Sequence, residues 1–156
     1  MHQAASAYRR FLPHYQNQDR TYFITFCSRN RRILSREARS VLLDHIVKNH
    51  RVLYRLCVVV VMPDHVHLLL IPIDSALSEI MRRIKGASAR EINRMTADAG
   101  SIWQREYFDR QMRDSENIRA KGEYIARNPV RAGFVSTPDE YPWLWRSWVE
   151  GGEEWR

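Results

Sequence analysis

"VVVVMPDHVHLLLIP", residues 58–72, is the stretch on which the fold turns. Its valines are β-branched and resist a helix, and Pro63 with Asp64 interrupts the run. The pattern predicts two antiparallel strands, about residues 55–62 and 65–71, joined by a tight turn. The first is apolar on both faces, which predicts a central place in a sheet. The second carries His65 and His67 amid apolar neighbours. Alternate strand residues share a face, so both rings project the same way, about 6.5–7 Å apart at the backbone. Burying a polar group without a partner costs about 1–3 kcal/mol. Either the fold satisfies these rings or a ligand does. Two imidazoles are too few for a closed structural zinc site but suit an open one that keeps positions for water or substrate.

Working outward, "RTYFITFCSRN" (20–30) alternates β-branched and aromatic residues and predicts a strand. Ser35 is placed to cap a helix in which Ala38, Val41, Leu42, His45 and Ile46 recur at helical spacing. After residue 72, Asp74 or Ser75 is expected to cap "ALSEIMRRIKG", with Leu77, Ile80, Met81 and Ile84 as its apolar stripe. A further helical stretch, "SAREINRMTADAG", is expected to end at Gly100. "IWQREYFDRQMRD" predicts a short strand, and Asp114 or Ser115 is expected to open a last helix that Pro129 stops. The tail from Ser136, rich in tryptophan and proline, shows no regular element. The order β-α-β-β-α-(β)-α predicts an α+β fold, a ferredoxin-like antiparallel sheet with helices packed on it, in one domain spanning 1–156.

Composition narrows the partners. The net charge is +7, and apart from Lys48, Lys85 and Lys121 every basic residue is arginine. Arginine forks match phosphate geometry, so the balance favours nucleic acid over acidic small molecules. Arg29, Arg31, Arg32, Arg36 and Arg39 form one basic set; Arg82, Arg83, Lys85, Arg90 and Arg94 form a second. Either set could hold phosphates or be a solvated face. Trp103, Tyr107 and Phe108 are candidates to stack unpaired bases, or core aromatics. Cys27 and Cys57 lack CxxC spacing and are expected to be reduced core residues. With no long apolar run and no signal-like N-terminus, a cytoplasmic, nucleoid-associated protein without membrane contact is expected.

"EYIARNP" places Tyr124 and Asn128 at i and i+4, on one helical face. The phenol could be a covalent nucleophile, and the amide oxygen a ligand for Mg²⁺ or Mn²⁺. A packing tyrosine at a helix end is the plainer alternative. Gly122 permits close approach of a neighbouring element.

Three segments together resemble a known family. "MPDHVHLLL" resembles the histidine–hydrophobic–histidine (HUH) motif of single-tyrosine transposases. "IWQREYFDRQMRD" resembles the W-Q-x-x-[FY]-[FYW]-[DE] segment of one branch. "YIARNPVRAGFV", followed by "DEYPW", resembles that branch's Y-I-x-x-N-P-V-x-x-G-x-V stretch. The branch is the REP-associated tyrosine transposases (RAYT), and the match runs from residue 20 to 145 in consistent order. The resemblance implies His65, His67 and Asn128 as ligands of a divalent metal, Mg²⁺ or Mn²⁺, and Tyr124 as nucleophile. It implies a 5′-phosphotyrosine intermediate on single-stranded, hairpin DNA of the repetitive extragenic palindromes, and a monomer. Arg29, Arg31, Arg32, Arg82, Arg83 and Lys85 would then contact DNA. A non-catalytic binder of structured DNA or RNA, and a metal-dependent small-molecule hydrolase, are the competing readings. The acidic tail "VEGGEEWR" could cover a basic groove.

Overall fold

The computed structural model describes residues 20–97, 99–113 and 115–153. In chain order the elements are β1 (Tyr22–Cys27), α1 (Arg36–Lys48), β2 (Tyr54–Val61), β3 (His65–Pro72), α2 (Leu77–Thr96), β4 (Phe108–Gln111), α3 (Ile118–Ala126), α4 (Asn128–Arg131) and β5 (Leu144–Arg146). The sheet order is β4-β1-β3-β2-β5, and every pairing is antiparallel. The first four strands have the ferredoxin-like arrangement that the sequence predicts. The histidine strand β3 is the central one. The expected central strand, β2, lies between it and β5; it is apolar on both faces because helices cover both sides there.

Strand alternation holds in β1 and β3: Tyr22, Ile24 and Phe26 are buried on one face, with Val66, Leu68 and Leu70. Burying each such side chain contributes about 1.5–3 kcal/mol. This face is roofed by α1 and α2. The Tyr54 hydroxyl donates to the Ile46 carbonyl of α1 at 2.6 Å. The indole N–H of Trp103, packed on Phe26, donates to Ser88 of α2 at 3.0 Å. The opposite face bears Phe23, Thr25, His65 and His67. There α3 covers the β2 side: a Cβ on Gly122 would lie 2.7 Å from the Trp148 ring and 3.5 Å from Cys57 Sγ. The close approach expected of Gly122 is therefore real.

Several boundaries differ from expectation. Ser35 does cap α1, accepting from the Ala38 N–H at 3.0 Å. The next helix is capped at Ala76 without a side-chain bond, because Asp74 has a left-handed φ of 49° and turns the chain earlier. The two expected helical stretches are one helix, which runs through Gly86. That helix stops at Thr96, where Ala97 is left-handed, not at Gly100. Asn117, not Ser115, caps α3 by accepting from the Ala120 N–H, and Asp114 lies outside the described residues. The helix α3 does end ahead of Pro129, at Ala126, but a separate turn of helix, α4, follows at once. Pro129 occupies the first turn of α4, where its missing N–H costs nothing. The tail adds β5, whose pairing with β2 the tryptophan-rich sequence concealed.

Candidate active site at the histidine face

The two histidine rings stand together on the open part of the sheet face, centroids 4.8 Å apart. Each has its Nδ1 engaged. His65 Nδ1 is 2.7 Å from Asp64 Oδ1. A carboxylate only accepts, so Nδ1 carries the proton in the neutral tautomer and Nε2 keeps a lone pair. Burial raises the Asp64 carboxyl, but hydrogen bonds from His65 and Arg31 outweigh it and hold it below its ordinary value. His67 Nδ1 is 2.8 Å from the Thr25 hydroxyl, its partner across the β1–β3 ladder. When that hydroxyl accepts, His67 Nε2 is likewise free. His67 also stacks on Phe23 at 5.8 Å. Burial, then the neighbouring His65 and the cations Arg131, Lys121 and Arg31, push its imidazole down to about 4.

The helix after β4 brings the second half of the site. Lys121 Nζ lies 4.6 Å from the Phe23 ring and 5.1 Å from the Tyr124 ring, linking α3 to the histidine strand. Tyr124 is 59% exposed, so its phenol meets solvent and is not packed as a core residue. The Arg131 guanidinium covers its ring at 4.0 Å. Asn128 is tied at both ends: Nδ2 donates to the Ile125 carbonyl at 3.0 Å, and Oδ1 accepts from Arg131 at 3.0 Å.

These donors fit a divalent metal in part. Two neutral imidazoles on one face, each with an oriented Nδ1, are what an open metal site requires. Asn128 Oδ1 already accepts from Arg131 with one lone pair, which leaves the second for an ion and sets a cation beside it. Among the described residues no group of three His, Cys, Asp or Glu side chains is placed to hold a metal.

The basic candidates divide. Arg31, exposed like its neighbours, is tied to the turn before β3: Asn30 and Arg31 have left-handed φ of 56° and 54°, and Arg31 Nε donates to Asp64 Oδ2 at 2.9 Å. It thereby orients the carboxylate behind His65. Arg29 and Arg32 are exposed beside it. Arg82 and Arg83 are exposed and shared by Glu79. Lys85 donates to the carbonyls of Gln104 and Arg105, fastening the 103–106 segment to α2. Trp103, only 3% exposed, is a core anchor and cannot stack a base; Tyr107 is half-buried and Phe108 exposed at the sheet edge. Cys57 is buried, whereas Cys27 is half-buried on the histidine face against Arg31. In the tail, Glu153 pairs with His50 and Arg51, away from the basic sets, while residues 154–156 lie outside the described residues.

Sequence reasoning missed Thr25, Lys121 and Arg131, and read Asp64 only as turn punctuation. Asp64 was available from its adjacency to His65, and Arg131 from its i+3 spacing to Asn128. Thr25 needed the strand register.

A family model described as "Transposase IS200 like" matches residues 17–128. The REP-associated tyrosine transposase of Escherichia coli (strain K12) is 30% identical over 144 residues, covering 88% of this chain and 80% of that protein. The solved structure of a REP-associated tyrosine transposase bound to a REP hairpin superposes with a TM-score of 0.64 at 25% identity, covering 81% of this chain and 76% of that one. Among the described residues no helix is long and apolar enough to cross a membrane.

Proposed function

The chain belongs to the IS200-like transposase family, among the REP-associated tyrosine transposases, and on that premise we propose that it cleaves and rejoins single-stranded DNA beside a REP-type hairpin. Tyr124 is the nucleophile. Its Oη gives up its proton and attacks the scissile phosphorus; the P–O3′ bond breaks as the P–Oη bond of a 5′-phosphotyrosine forms, and the leaving 3′ oxygen takes up a proton to become a free hydroxyl. That hydroxyl can reverse the step on another strand, so the phosphodiester energy is kept. His65, His67 and Asn128 would hold a divalent ion, Mg²⁺ or Mn²⁺, which when bound stabilises the charge developing on the phosphate oxygens. Asp64 and Thr25 orient the two imidazoles. Lys121 and Arg131 flank the Tyr124 ring at 5.1 and 4.0 Å, beside the phosphate that the phenol would attack.

The observation that carries this reading is the exposed Tyr124, flanked by two cations and joined through Lys121 and Phe23 to a histidine pair with both Nδ1 atoms engaged. A second reading, a non-catalytic binder of structured DNA or RNA, draws on the Arg131 bond that occupies Asn128 Oδ1. One denaturing gel separates them. With labelled hairpin DNA and Mn²⁺ or Mg²⁺, the protein should form a covalent adduct that EDTA abolishes. Tyr124→Phe should lose the adduct yet still shift the hairpin on a native gel. Adduct persisting in Tyr124→Phe would sink the nucleophile assignment, and binding without adduct under either metal would favour the second reading.

A further inference from the structure

The leaving 3′ oxygen needs a proton, and few groups near Tyr124 can give one. His65 and His67 are assigned to the ion. Asp64 is bonded to both His65 and Arg31, and its carboxyl is held below its ordinary value, so it has no proton to offer. Glu116 and Glu123 are taken by Arg110 and Arg119 at 2.8 and 2.9 Å. The guanidinium of Arg131 keeps its protons at any working pH. Lys121 remains.

Lys121 stands one turn ahead of Tyr124 on α3, so the two side chains leave the same face of the helix. Its Nζ is 5.1 Å from the Tyr124 ring and 4.6 Å from the Phe23 ring, and Phe23 stacks on His67. The ammonium thus bridges the phenol and the histidine face, where a scissile phosphate would enter. Among the described residues it meets aromatic faces there and is tied to no carboxylate. Lys85, by contrast, is fastened to the carbonyls of Gln104 and Arg105. A flexible four-carbon stem with three rotatable donors can follow a substrate atom. Burial, then Arg110 and Arg131, lower the Lys121 amine from its ordinary value against an upward pull from Glu116. That eases release of a proton.

We propose that Lys121 is the general acid of the transfer, its Nζ giving a proton to the leaving 3′ oxygen. The proposal rests on the Tyr124 reading above and adds the proton donor that reading leaves open. As the P–Oη bond forms and the P–O3′ bond breaks, the electron pair of the broken bond stays on O3′ and takes the Nζ proton. The Tyr124 proton passes to water, which reaches the exposed phenol. The neutral amine left behind is the base that takes the proton back from the 3′-hydroxyl when the strand is rejoined.

The test uses the full chain with Mn²⁺ and two hairpin DNA probes that differ in one atom. At the bond the wild type cuts, one carries the ordinary 3′ oxygen and the other a bridging 3′ sulfur. A thiol is far more acidic than an alcohol, with a pKa of about 8.5 in cysteine, so sulfur leaves without a proton. Single-turnover adduct formation is timed on a denaturing gel, with protein in saturating excess as judged by a native gel. On the oxygen probe Lys121→Gln should be slower than wild type by about 100-fold, the low end of what a general acid supplies. Lys121→Arg keeps the charge without a proton it can release, and should be about as slow. On the sulfur probe both variants should match wild type. Equal slowing on the two probes, as a structural or phosphate-holding role would give, would overturn the proposal. So would wild-type speed of either variant on the oxygen probe; in Lys121→Arg it would mean that charge alone is needed. A wild type that binds the oxygen probe but forms no adduct overturns the Tyr124 reading and the acid with it.

Discussion

The guanidinium of Arg131 lies 4.0 Å over the Tyr124 ring while the same Nη2 donates to the Tyr124 carbonyl and to Asn128 Oδ1. One cation thus touches both the proposed nucleophile and the proposed third ligand, where it competes with an ion for Asn128 Oδ1.

These two effects separate in Arg131→Met. Removing the cation should slow cleavage at saturating metal by about tenfold, since a cation over an aromatic ring is worth about 0.5–2 kcal/mol. Releasing Asn128 Oδ1 should lower the metal concentration that gives half-maximal cleavage. A metal titration of adduct formation reads both at once; a variant that needs more metal would contradict the competition between Arg131 and the ion.

Thr25 acts through His67. Thr25→Val keeps the shape of the strand but leaves His67 Nδ1 without its partner. Outer partners of this kind are worth about 10–100-fold in metal affinity. Calorimetry with Mn²⁺ should show a loss in that range while the urea midpoint barely moves. Thr25→Ser should restore binding.

Gly122→Ala tests the packing of α3. The new Cβ would meet the Trp148 ring at 2.7 and 2.9 Å, and that ring is held from outside by Arg119 at 4.6 Å. Overpacking of this type costs about 1–3 kcal/mol. Urea unfolding should register it, and Trp148→Leu in the same chain should recover part of the loss.

Glu116 predicts a pH signature. The hydrogen bonds from Arg110 and from the Arg113 N–H hold its carboxyl at about 2, below its ordinary 4.5. A carboxyl depressed by folding contributes stability above its unfolded value and loses it as pH falls through the folded one. Wild type should therefore exceed Glu116→Gln in stability at pH 7, by at most about 1 kcal/mol because the pair is partly exposed. The gap should close between pH 4.5 and 2, as followed by urea midpoints. A gap that widens on acidification would contradict the assignment.

The sequence by itself determined the elements built on short-range periodicity. The alternation around His65 and His67 put both rings on one face, and the Ser35 cap and the apolar stripe from Leu77 to Ile84 marked the helices. These patterns are local, because a strand or helix repeats its geometry every few residues. The motif segments also marked Tyr124 and Asn128. Long-range placement was decided only in the tertiary structure. Register set Thr25 against His67, and a tail without a local signal became β5 because β2 offered it an unpaired edge. Trp103, marked as a base-stacking candidate, went into the core because a hydroxyl on α2 could take its N–H. Arg131 came to rest on Tyr124. Such contacts depend on how separated segments pack and on which polar groups need partners once buried, and no short window of sequence contains both sides of them.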